Sequence, residues 1–121
     1  MVVYRIEHDV ERYGPYNIPV VKDGAQRAMI HRHDRTETRR PIPWQRTRDW
    51  RFGFSSIKSL CRWFTANDRR MLGTRGYVIR TYRDPDIVYD DGLQVAFTLD
   101  TDHGQEIYKL LRTNRTGRRS I

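Results

Sequence analysis

A chain of 121 residues, 37% apolar and 31% charged, is long enough for one small domain with a single core. Its formal charge is +8, its pI is near 10.1, and 20 of its 23 basic residues are Arg. The one cysteine, Cys61, excludes an intramolecular disulfide and a Cys-rich zinc site. No apolar run suits a signal peptide or a membrane span, so the chain reads as a cytosolic protein.

With aliphatic residues scarce, the core must lean on three Trp, seven Tyr and four Phe. The Arg excess points to an acidic partner: nucleic acid, a nucleoprotein or an acidic protein face. Guanidinium groups grip phosphate and carboxylate bidentately.

In chain order, the alternating, β-rich run VVYRIEH predicts a strand over Val2–Glu7, ended by the Gly14-Pro15 turn. Asn17–Val21 suits a short extended piece. Gly24–His31 suits either a short helix or a loop, and HRHDRTETRRPIPW shows no apolar period. Lys22–Arg51 holds nine Lys or Arg against Asp23, Asp34, Glu37 and Asp49, and its middle is expected to be a long mobile loop. Arg51–Phe54 reads as a short strand. Ser55 or Ser56 then caps a helix whose apolar face is Ile57, Leu60, Cys61 and Phe64, at i, i+3, i+4 and i+7.

Asn67 is the expected cap of a second helix carrying Met71 and Leu72, with Gly73 and Gly76 stopping it. Tyr77–Tyr82 reads as a strand, and Ile87–Tyr89 with Leu93–Leu99 as a hairpin across Asp91-Gly92. In that hairpin Val95, Phe97 and Leu99 share one face, and Gln94, Ala96 and Thr98 the other. Asp102 and Gln105 have capping-box spacing, so a last helix carrying Ile107, Leu110 and Leu111 is expected. The fold class is α+β: a mostly antiparallel sheet with two or three helices on one side. Residues 1–111 form the domain, and the basic tail 112–121 frays.

Several short motifs recur in order: Tyr4-Arg5-Ile6-Glu7-His8, Gly14-Pro15-Tyr16, Phe52-Gly53-Phe54-x-Ser56, Leu60-x-x-Trp63-Phe64, Gly76-Tyr77-x-Ile79-x-x-Tyr82 and Gln94-Val95-x-Phe97. Over about the first hundred residues this order resembles a family of small accessory proteins of tailed bacteriophages. That resemblance implies a protein acting on host transcription, restriction or CRISPR-type defence. A second resemblance is to the ADP-ribosyltransferase fold, with Arg5, Ser55 or Ser56, and Gln94 standing in the order of its site residues. It implies NAD as cofactor, with Arg5 holding a phosphate or ribose and Gln94 in place of the usual Glu.

Three function classes follow. The first is a non-enzymatic regulator that occludes a host protein or nucleoprotein through Arg32, Arg35, Arg39, Arg40, Trp44, Arg46, Arg48 and Trp50, since Arg and Trp make frequent hot spots. The second is a nucleic-acid-binding module using the same guanidinium forks and stacking rings. The third is the NAD-dependent enzyme. Arg5 and His8 read as outward side chains of a strand available to a ligand, and Tyr13 and Tyr16 as packing on the Gly-Pro turn. His31-x-His33 with Asp34 lacks further ligand spacing and reads as a polar loop, not a metal site.

Overall fold

The computed structural model describes residues 1–16, 21, 23–34, 50–98 and 104–109. The chain forms β1 (Val2–His8), α1 (Gly24–Asp34), β2 (Arg51–Gly53), α2 (Ile57–Trp63), α3 (Ala66–Thr74), β3 (Tyr77–Arg83), β4 (Asp86–Asp90), β5 (Val95–Thr98) and β6 (Gly104–Lys109). This is the α+β class expected.

Two three-stranded antiparallel sheets form, in the orders β1-β3-β6 and β2-β5-β4. Among the described residues one backbone bridge joins them: Tyr4 N donates to Phe54 O at 2.7 Å, and Phe54 N to Tyr4 O at 2.8 Å. The contact is close because residue 53 is glycine. A Cβ there would stand 2.6 Å from Val3 Cγ1 and 2.7 Å from the Tyr4 carbonyl oxygen.

Alternation along β1 and β3 sorts the core into two layers. Ile6, Tyr77 and Ile79 face the helices, where they pack with Met29, Ile30, Phe54, Leu60, Phe64 and Leu72. Val3 and Tyr82 face the other way and pack with Val95 and Phe97 of the second sheet. Covered on both faces, β1 and β3 are buried along most of their length.

Local chemistry sets the helix ends. Ser56 caps α2, its hydroxyl accepting from Ser59 N at 3.1 Å. The cap of α3 is Thr65, not Asn67. Thr65 Oγ1 accepts from Asp68 N at 3.2 Å and Asp68 Oδ2 accepts from Thr65 N at 3.1 Å. This reciprocal box satisfies two first-turn amides at once, which a lone Asn does not. Gly73 lies inside α3; the helix ends at Arg75, and Gly76 leaves it with φ +91°. Gly24 begins a helix that runs to Asp34.

The expected last helix is instead strand β6, paired with β3 through Ile79↔Tyr108 and Arg80↔Ile107. The helical spacing there rested on three apolar residues. Opposite it stood the second edge of β3, whose buried backbone groups require a ladder partner. The hairpin forms as read, with Gly92 at φ +88°. Its β5 begins at Val95, not Leu93, and Ala96 is buried along with Val95 and Phe97, so both of its faces are covered. Of the extended piece expected at Asn17–Val21, Val21 is buried and in no strand, and residues 17–20 lie outside the described residues, as do Leu99, Leu110, Leu111, the loop at 35–49 and the tail at 112–121.

Gly53→Ala should destabilise the protein by about 1–3 kcal/mol, the usual range for overpacking a tight contact. Gly24→Ala, which meets nothing within 4 Å, should change stability by less than ~1 kcal/mol. Urea denaturation of the two variants side by side measures the contrast.

Candidate functional site: a buried glutamate held by three arginines

On the face of β1 that carries Val3, the next inward positions are Arg5 and Glu7, and Glu7 is fully buried. An isolated carboxylate there would be very costly, so it must be paired and hydrogen-bonded. Four donors meet it. Arg5 Nε donates to Glu7 Oε1 at 2.9 Å and the Tyr82 hydroxyl to the same oxygen at 2.6 Å. Arg12 Nε and Arg80 Nε each donate to Oε2 at 2.6 Å.

The strand register explains the assembly. Arg5 lies directly opposite Arg80 across the β1–β3 ladder, a like-charge pair that repels unless an anion bridges it. Glu7, two residues along β1 on the same face, is that anion. Arg12 arrives from the turn after β1, where it holds the left-handed conformation at φ +69°. Its Nη2 also donates to the Tyr82 hydroxyl at 3.1 Å. Arg80 Nη2 reaches the Asp9 carbonyl at 3.1 Å and Asp9 Oδ1 at 3.2 Å, and Arg5 Nη1 reaches the Phe52 carbonyl at 3.1 Å.

The titrations follow from this geometry. Burial pushes the Glu7 carboxyl up, but the charge of Arg5 and the bonds from Tyr82, Arg12 and Arg80 outweigh it and hold the group below the usual carboxylate range. Burial pushes the Tyr82 phenol up to about 12. Burial also lowers Arg5, against the opposing pull of Glu7, and the nearby charge of Arg51 lowers it further. A carboxylate with four donors and a depressed pKa is a poor general base. The cluster therefore holds structure and positive charge.

A second polar chain lies under the helices. Trp63 Nε1 donates to the Tyr16 hydroxyl at 2.7 Å, and that hydroxyl bonds His33 Nδ1 at 2.6 Å. The indole only donates, so Tyr16 accepts from Trp63, and the His33 tautomer sets the direction of the second bond. His33 Nε2 lies 3.4 Å from Asp68 Oδ2, and Asp68 also accepts from Arg32 Nη2.

The residues singled out from sequence land in different places. Arg5 is buried and committed to Glu7 and Phe52, not directed outward. Ser56 is a helix cap, Ser55 is exposed, and Gln94 closes the hairpin turn, its N–H donating to Asp91 Oδ1 at 2.8 Å. No hydrogen bond among the described residues joins these four. His8 serves the turn: its Nδ1 accepts from Glu11 N at 3.1 Å, and its ring stacks on Tyr13 at 5.1 Å. His31 and His33 part company because residues two apart on a helix do not share a face, so His33 is buried and His31 exposed. Cys61 is half-buried, and burial raises its thiol pKa against the pull of Arg69.

Of the basic set, Arg32 lies on α1 and pairs with Asp68, and Trp50 is partly buried just before β2. Arg35, Arg39, Arg40, Trp44, Arg46 and Arg48 lie outside the described residues. Sequence reasoning missed Glu7, Arg12, Arg80 and Tyr82. The available signal was Arg-x-Glu in one β-rich run and Arg-x-Tyr in another, each placing two polar groups on one face of a strand.

The fold and this internal ion cluster define a small α+β protein with a basic helical side. Among the described residues no helix is long and apolar enough to cross a membrane. The model of the Bacteriophage T4 Y00F protein family matches residues 1–110, and the chain belongs to that family, making it a bacteriophage accessory protein. No curated protein and no solved structure matches it.

Glu7→Gln should cost about 3–5 kcal/mol, since three guanidinium groups lose their buried counter-charge. The depressed Glu7 pKa contributes stability above the ordinary value of 4.5 that is lost as pH falls below it, so acid unfolding should be shallower in this variant. At the alkaline end, the unfolded chain ionises Tyr82 from 10.0 upward while the folded protein keeps the proton to about 12. Stability should therefore fall over that interval, and Tyr82→Phe should flatten the decline. Denaturant titrations across pH, with phenolate absorbance, measure both limbs.

Proposed function

We propose that this phage accessory protein inhibits or regulates a host protein or nucleoprotein, in host takeover or anti-defence, by covering an acidic surface with its basic Arg- and Trp-rich side. The observation that carries this reading is a charge asymmetry across the fold. The three helices hold six Lys or Arg against two Asp. Of those acids, Asp68 is buried against Arg32 and His33. Lys58 and Arg62, one turn apart on α2, are exposed and have no acidic partner among the described residues.

The β4–β5 hairpin packs on the opposite face of the β1–β3 sheet and is the reverse. Residues 86–98 carry Asp86, Asp90 and Asp91 and no Lys or Arg. Such a separation orients the molecule toward an acidic partner before contact. In sequence, residues 35–50 follow α1 directly and add five Arg with Trp44 and Trp50, and Arg40, Trp44 and Trp50 are the proposed anchors.

Capture from host lysate with and without nuclease tests this. The expected result is one defined host protein retained after nuclease, with retention reduced about tenfold or more by Lys58→Glu with Arg62→Glu, or by alanine at Arg40, Trp44 and Trp50. Asp90→Lys on the hairpin should leave it unchanged. Capture that disappears with nuclease, with affinity falling steeply as salt rises, would replace this reading by direct nucleic-acid binding.

A further inference from the structure

We propose that Arg5 and Arg51 form a binding site for a phosphate-type oxyanion, at the rim of the Glu7 cluster and separate from the basic helical side. Arg5 is nine-tenths buried and its guanidinium is fixed on one edge, by Glu7 at Nε and by the Phe52 carbonyl at Nη1. The remaining nitrogen, Nη2, carries no hydrogen bond among the described residues and lies over Gly14. A Cβ on residue 14 would stand 3.2 Å from it, so a side chain there would crowd the place that glycine leaves clear.

Arg51 lies on β2, the strand that abuts Arg5. Gly53 abuts Arg5, its would-be Cβ 3.4 Å from Arg5 Cβ, and Arg51 lies two residues earlier on the same face of β2. Its charge is close enough to disfavour the charged form of Arg5. Arg51 is only partly exposed and has neither an ion pair nor a side-chain hydrogen bond among the described residues. Glu7 cannot serve it as well, because its four lone-pair positions are already taken.

Two neighbouring guanidinium groups, one of them rigid and partly desolvated, thus share no anion among the described residues, since Glu7 bonds Arg5 and not Arg51. An oxyanion accepting from Arg5 Nη2 and the Arg51 fork would supply that anion and meet donors already in place. The shared chemistry is a tetrahedral phosphate oxygen set, supplied either as a free phosphate group or as the phosphodiester of a nucleic acid.

Calorimetric titration of the full chain with inorganic phosphate, at constant ionic strength set with chloride, tests the site. One saturable equivalent is expected. Arg51→Ala, which touches none of the Glu7 bonds, should weaken it about tenfold or more, the usual worth of a charge-assisted pair. Arg51→Lys should recover only part, since an ammonium lacks the fork. Arg83→Ala, an exposed arginine outside the cluster, should change nothing. A short single-stranded oligonucleotide in a second arm separates the sources: displacement of phosphate by it assigns the site to phosphodiesters, and failure to displace assigns it to free phosphate groups. Unsaturable binding, or equal affinity in wild type and Arg51→Ala, would mean an adventitious ion only and would overturn the proposal.

Discussion

One carboxylate organises the centre of this molecule. Glu7 is buried where β1, β3 and the turn after β1 meet, and each of its four acceptor positions is filled. Arg5 and Arg80 face each other across the ladder and could not both be buried without it. A one-residue slip of β1 would carry Arg5 and Glu7 into the aromatic layer under the helices and bring Ile6 out of it. The cluster therefore sets register more than it adds net stability, because burying Glu7, Arg5 and Arg80 offsets much of what their attraction contributes.

Around that point the apolar layers arrange themselves. Val3 and Tyr82 continue the same face and meet Val95 and Phe97, so one face of the sheet changes from ionic to apolar along its length. Glycine at position 53 lets the second sheet come close enough to close that layer and to bring the Phe52 carbonyl to Arg5. The other face is mostly aromatic. There the chain from Trp63 through Tyr16 and His33 to Asp68 links the Gly-Pro segment to all three helices.

Charge is divided accordingly. Inside, arginines are tied to acids; on the helical side, Lys58 and Arg62 are left to solvent; on the hairpin, only acids appear. Membership of a bacteriophage family gives this division its setting. A polarised exterior of this kind steers a protein toward oppositely charged surfaces.

Most of the fold was legible in local sequence. The alternation of VVYRIEH, the i, i+3, i+4, i+7 spacing from Ile57 to Phe64, and Asp91-Gly92 each encode one backbone geometry through contacts within a few residues. The charge asymmetry was partly legible, since the basic and acidic stretches are contiguous. What local pattern could not carry was anything decided between distant segments. Strand β6 exists because the second edge of β3 needed a partner, and that need overrode a weak capping-box spacing. Arg5 and His8 resembled free outward groups because nothing near them in sequence shows that Arg80 and Tyr82, more than seventy residues on, complete the Glu7 cluster. A buried charge is defined by all the donors around it, and only the tertiary structure assembles those donors.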